Sequence, residues 1–141
     1  MGRNNVKTHT GNRVVVRFDG KIIGLAQNVR GSDDYALDPA SGIGDAHVQE
    51  YVPTIARHTV TVGFMALKQD GLAMQGIAPE NADEALKGYV FDIELYDKDK
   101  NTLLKKYIDC SYNNGDLDVT KHAIIMRNAT FMALDVSGKG L

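Results

Sequence analysis

The sequence predicts a mainly β protein: two packed antiparallel sheets, sandwich-like or barrel-like, with one short α-helix and a long extended loop. Three observations carry this. Apolar and polar residues alternate with period two through residues 13–18, 58–67 and 89–96, as half-buried strands require. Turn residues such as Asp19-Gly20 and Asn113-Asn114-Gly115 punctuate these runs. Residues 31–57 sustain neither a helical nor a strand period.

Each element has its own sequence reason. In residues 13–18, Val14, Val16 and Phe18 share a face opposite Arg13, Val15 and Arg17. Asp19-Gly20 then supplies the positive φ of a two-residue hairpin. The return strand begins at Lys21 and runs through Ile22, Ile23, Leu25 and Val29, with Gly24 marking a bulge. In residues 58–67, Val60, Val62, Phe64 and Ala66 face one way and Thr59, Thr61, Gly63 and Met65 the other. Residues 79–87 (PENADEALK) form the helix: proline suits its first turn, Glu80, Asp83 and Glu84 favour its positive end, and Gly88 ends it.

A second hairpin places Tyr89, Phe91, Ile93 and Leu95 on the apolar face and Val90, Asp92, Glu94 and Tyr96 on the other. After a turn at residues 97–101, its partner points Leu104, Ile108, Cys110 and Tyr112 inward and Lys105, Tyr107 and Asp109 outward. Residues 113–116 read as a turn. Residues 120–136 then read as one long strand or a bent pair. Ile124, Met126, Met132 and Leu134 lie on one face, and Ala123, Ile125, Ala129 and Phe131 on the other. A strand that is apolar on both faces sits centrally or meets a partner chain.

The segment at 31–57 is too long for an ordinary connection. Compact domains seldom keep an unstructured loop beyond about 12 to 15 residues unless it is functional or disordered. This one is studded with Tyr35, Leu37, Ile43, Val48, Tyr51, Val52 and Ile55. A lone domain does not easily bury such groups on a loop, so the segment reads as an arm that packs on another chain. The expected organisation is a single domain over residues 1–141 with an assembly arm at about 31–57.

Composition narrows the function classes. At 141 residues the chain fits one domain, which at this size buries about 68 to 70% of its unfolded surface. A formal net charge of −2 argues against a basic face that grips nucleic acid. The single cysteine, Cys110, excludes an intrachain disulfide framework. The first residues lack the apolar core of a secretory signal, and Val6 stands where myristoylation requires Ser or Thr. No apolar run reaches the roughly 18 residues of a membrane span. Cytoplasmic synthesis and no membrane association are the expectations.

The chemical motifs are near misses. Asp97-Lys98-Asp99-Lys100-Asn101 opens like a calcium-binding loop, but Thr102 replaces its glycine and Ile108 its bidentate glutamate, so a solvated hairpin turn is the better reading. Gly42-Ile43-Gly44 has His47 where a dinucleotide fingerprint needs its third glycine, and no strand precedes it. His47 and Glu50 are three apart without a second histidine at ligand spacing, while His9, His58 and His122 fall in separate elements. Ser41 lacks a nucleophile elbow, and Cys110 reads as a small buried apolar residue. Asn128-Ala129-Thr130 is a glycosylation pattern inside a predicted strand, a chance match. No catalytic, metal or cofactor site is expected.

The order of these pieces resembles a known family. A strand ends in Asp19-Gly20, and a strand Ile-Ile-Gly-Leu-Ala-Gln-Asn-Val follows. The long loop holds Asp34-Tyr35, Ile43-Gly44 and Glu50-Tyr51-Val52-Pro53, and the strand Thr59-Val60-Thr61-Val62 comes next. This succession, with the later helix and long final strand, is similar to the tail tube proteins of contractile-tailed bacteriophages, which are related to R-type pyocin and type VI secretion tube proteins. The resemblance implies two packed sheets with a flanking helix, forming hexameric rings that stack into the inner tail tube. It further implies a virion tail location, assembly in the host cytoplasm, tail sheath, baseplate and tape-measure partners, and passage of DNA without specific binding.

Ring closure suits the residues, because it removes exposed strand edges and uses two different head-to-tail surfaces on each chain. The expected arm contacts are Asp33, Asp34, Tyr35, Ile43, Glu50, Tyr51 and Ile55. Asp92 and Glu94 leave the core and face either the lumen or solvent. Two other classes stay open: a monomeric β-barrel binding a small apolar ligand, and an enzyme whose site is assembled from scattered residues such as Asp92, Glu94 and His122.

Overall fold

A computed structural model describes residues 5–22, 25–66 and 77–141. After a 3-10 turn at Gly11–Arg13, the elements are β1 (Val14–Phe18), β2 (Leu25–Asp34), β3 (Asp38–Ala40), β4 (Glu50–Val52), β5 (Arg57–Met65), α1 (Ala82–Leu86), β6 (Phe91–Asp97), β7 (Leu103–Asp118), β8 (Met126–Ala133) and β9 (Asp135–Ser137). The protein is mainly β, as predicted. Its two layers are halves of one curled antiparallel sheet in the order β1-β6-β7-β8-β5-β2, with β9 also on β7; β3 and β4 form a separate small sheet.

Strand β7 makes the curl. Its first half pairs with β6 and its second half with β8, so one 16-residue strand serves both layers. Between Tyr107 and Cys110, two residues of β7 oppose Asp92 alone, a bulge that bends the strand. Asp109 takes φ 52° there, and its N–H donates to the Asp92 carboxylate at 3.0 Å. Strand β8 bends beside it at Leu134, whose N–H donates to Ile108 O at 3.0 Å. The curl brings β1 onto β5, four places away in the sheet. Phe18 meets Phe64 with ring centroids 5.7 Å apart, and it also packs on Phe91 and Phe131. Val60, Val62, Ile93, Cys110 and Ala129 complete a filled interior. Val60, Val62 and Phe64 on β5 and Phe91 and Ile93 on β6 are buried as their alternation predicts; the last strand, expected to be apolar on both faces, buries Ala129 and Phe131 but leaves Met132 and Leu134 exposed.

Several expectations need correction. Asp19 and Gly20 do form the tight turn, at φ 51° and 80° with reciprocal Phe18–Lys21 backbone bonds. Yet β2 does not return beside β1; it pairs with β5 at the opposite edge of the sheet. The calls on Ile23 and Gly24, and the end of the third strand at Leu67, lie outside the described residues. The helix starts later than Pro79, because Asn81 is its cap and accepts from Glu84 N at 3.0 Å. Gly88 follows its end at φ 68°.

The bulges account for the errors in β7. Each extra residue reverses the alternation, so Tyr107 is buried rather than outward, and Leu104 is buried apart from the main cluster, beneath the segment around Gly140. Residues 113–116 are not a turn: a further bulge between Tyr112 and Asn114 absorbs one residue and pairing with β8 continues to Asp118. The chain reverses instead at Thr120–Ala123, where His122 has φ 65°. The final strand consequently begins at Met126, and Ala123, Ile124 and Ile125 precede it. Tyr89 also precedes its strand and is exposed.

Candidate assembly interface

The arm is more ordered than its sequence suggests. Strand β2 continues to Asp34 and β5 starts at Arg57, so the first four residues of the predicted loop are strand. Their polar composition hides this from an alternation test. The Asp34 carboxylate accepts from Ala36 N at 3.0 Å, with Ala36 at φ 46°, a local turn by which the chain leaves the sheet. Thr54 ties the base together, its N–H donating to Tyr35 O at 3.1 Å and its hydroxyl to Ala36 O at 2.6 Å. Further out, Asp38, Pro39 and Ala40 pair with Val52, Tyr51 and Glu50. At the tip the Asp45 carboxylate accepts from Gly42 N at 2.6 Å. The arm is a hairpin rather than a loose loop.

Its root is pinned through buried chemistry. His58 is 2% exposed on the inward face of β5, and its Nδ1–H donates to Asp33 at 2.6 Å. Lys105, from β7 in the other layer, reaches Asp33 at 3.4 Å. Donation from His58 holds the Asp33 carboxyl below its usual range, desolvation opposes this, and Lys105 reinforces it. Tyr35 stands edge-on to the His58 ring at 5.8 Å. At Gly31 a side chain would collide with the Tyr107 hydroxyl, so glycine allows β2 to cross over β7.

The predicted arm residues therefore separate. Asp33 is engaged at the root and Asp34 in the exit turn, whereas Ile43, Glu50, Tyr51 and Ile55 are exposed along the hairpin, and Tyr35 is exposed beside His58. His58, Lys105 and Gly31 were not foreseen as a group. His58 could have been found, because it shares the phase of Val60, Val62 and Phe64; its partner on β7 is invisible without the fold.

The second candidate surface is the outer face of β1, β6 and β7. Asp92 and Glu94 leave the core as predicted and are half-buried. Asp92 supports the β7 corner and lies 3.4 Å from Lys106. Glu94 accepts from the Tyr96 hydroxyl at 2.5 Å. Arg17, Glu94 and Lys106 are in register across the three strands, and Arg17 lies over the Tyr96 ring at 4.6 Å. Glu94 thus sits in an alternating row of charges, and Asp92 pairs with the Lys106 at its end.

The other motifs have ordinary settings. The turn at Asp97–Asn101 joins β6 to β7, with Arg13 paired to Asp99. Cys110 is buried, and desolvation pushes its thiol up to about 12, which removes nucleophilic character. Among the described residues no cluster of three or more His, Cys, Asp or Glu is placed to hold a metal. No helix there is long and apolar enough to cross a membrane.

Comparison with known proteins agrees with this architecture. Virion protein 5 of Enterococcus phage phiEF24C is 29% identical over 130 residues, covering 92% of each chain. In structure, the SPP1 tail tube matches with a TM-score of 0.69 at 10% identity, covering 94% of this chain and 79% of that one. The sheath-tube complex of an extracellular contractile injection system matches at 0.68 and 17% identity, covering 93% and 90%. A gene transfer agent tail of C6 symmetry matches at 0.69 and 8% identity, covering 94% and 99%. A family model described as Phi812 tail tube protein matches residues 3–137. The chain is a virion structural protein of the phage tail tube, and it belongs to the Phi812 tail tube protein family.

Proposed function

We propose that this chain closes into hexameric rings whose stacking builds the inner tail tube, with the arm seated on a neighbouring copy. The observation that carries the reading is the arm: an internally hydrogen-bonded hairpin that leaves Ile43, Tyr51, Val52 and Ile55 exposed. A hairpin that is already hydrogen-bonded within itself loses less conformational entropy on docking than a loose loop would, which favours a stable contact. The sixfold symmetry of the gene transfer agent tail supports a ring of six here. The sheath-tube and baseplate complexes among the similar structures support a surrounding sheath and a baseplate as partners.

In this role the protein is a conduit without catalytic activity, made in the host cytoplasm and carried in the virion. DNA and the tape-measure protein pass through it. In this reading the outer face of β1, β6 and β7 lines the lumen; Asp92 and Glu94 are matched there by Arg17 and Lys106, so these groups leave no net positive charge to hold DNA. The filled phenylalanine interior disfavours the ligand-binding barrel. Electron microscopy of concentrated protein, alone and with tail initiation complexes, should reveal rings or hollow tubes of constant diameter. A chain that stays monomeric in both conditions and binds a small hydrophobic ligand stoichiometrically would overturn the tube reading.

A further inference from the structure

We infer that the arm docks on the loop between β7 and β8 of a copy in the adjacent ring, so that this loop is the receiving surface for axial stacking. The inference rests on the stacked-ring reading and adds the identity of the receptor.

The placement comes from strand register. The arm leaves the sheet at the Arg57 end of β5, and at the other end Met65 lies opposite Met126, itself opposite Asp118 of β7. The β7–β8 loop therefore lies at the opposite pole of the same half-sheet. Nine residues of β5 separate the two, about 30 Å of extended strand at about 3.3 Å per residue. Surfaces at opposite poles make a head-to-tail contact, which repeats without closing and generates a stack.

The two surfaces match in chemistry. Residues 31–56 hold five of the chain's 18 acidic residues and no Lys or Arg, so the remainder carries 13 acids against 16 bases. Asp33 is engaged at the root and Asp34 in the exit turn, which leaves Asp38, Asp45 and Glu50 along the hairpin. The loop carries Lys121, half-buried Arg127 follows it at the start of β8, and Leu117, Val119 and Ile124 are exposed beside them. The loop itself holds no acid; on the adjoining end of β7, Asp118 accepts from the Thr120 hydroxyl and Asp116 lies opposite Asn128. Acidic and apolar thus meets basic and apolar, as electrostatic complementarity at an interface requires.

Charge reversal tests the pairing. One variant carries Asp38→Lys, Asp45→Lys and Glu50→Lys; a second carries Lys121→Glu and Arg127→Glu. Each alone should retain native circular dichroism but require about tenfold more protein to form tubes, because every ring-to-ring contact then opposes like charges. An equimolar mixture should recover tubes, since each arm meets a loop of opposite sign, and a chain carrying all five changes should assemble alone. Folded variants that stack like the wild type, or that recover in neither combination, would overturn the docking while leaving the tube reading intact. Failure of the wild type itself to form tubes on tail initiation complexes would instead remove the reading on which the inference rests.

Discussion

A single carboxylate at the root of the arm connects two layers of the fold. Asp33 accepts from buried His58 on the neighbouring strand and lies 3.4 Å from Lys105 across the layers. Its folded pKa is depressed, first by the His58 donation. A depressed carboxyl contributes stability above its unfolded value, near 3.9, and loses it as pH falls through the folded value. The arm root should therefore loosen in acid, at and below about pH 4, before the core does. Limited proteolysis between residues 31 and 57 measures this. Asp33→Asn should be cleaved more readily at neutral pH and show little further change in acid; an unchanged acid response in that variant would place the sensitivity elsewhere.

At the scale of elements, the arm and the β7 corner show what alternation can and cannot reveal. The strands with one clean apolar face, β5 and β6, were legible because burial alone decides which residues turn inward. Strand β7 was not, since bulges at Leu104, at Ile108-Asp109 and at Asn113 each shift the phase, and a bulge leaves no fixed residue signature when Asp takes the positive φ. The arm's apolar residues were legible as a surface, but its short β3–β4 ladder was not, for three paired residues hold too few positions to establish a period.

Two predictions belong to these elements. Replacing residues 37–53 with a short Gly/Ser linker spares the Asp33–His58 pair, so β-rich circular dichroism should persist while stacking is lost. Collapse of the fold on that excision would make the arm part of the protomer's own core. At the corner, Asp92→Ala removes the acceptor for Asp109 N–H and should destabilise the protomer by about 1–3 kcal/mol. Asp92→Asn keeps an acceptor and should lose less in chemical denaturation; equal losses would show that the Lys106 contact, not the corner bond, dominates.

Among the described residues, β1 and β2 end the path of the main curled sheet and each has a single strand partner, while short β9 is a further edge on β7. Long unpaired edges invite uncontrolled association, and closure around a ring is one way to occupy them. In the proposed tube the arm and the opposite loop would supply the axial direction of growth and the edges the lateral one. Hydrogen exchange separates the two. In dissociated protein, amides on the free sides of β1 and β2 should exchange far faster than those of central β5 and β8, whose bonds lie within the sheet. In assembled tubes the edge amides should become protected while the centre changes little. If exchange at both edges were the same before and after assembly, subunits would meet through side chains alone, and lateral closure by strand pairing would have to be abandoned.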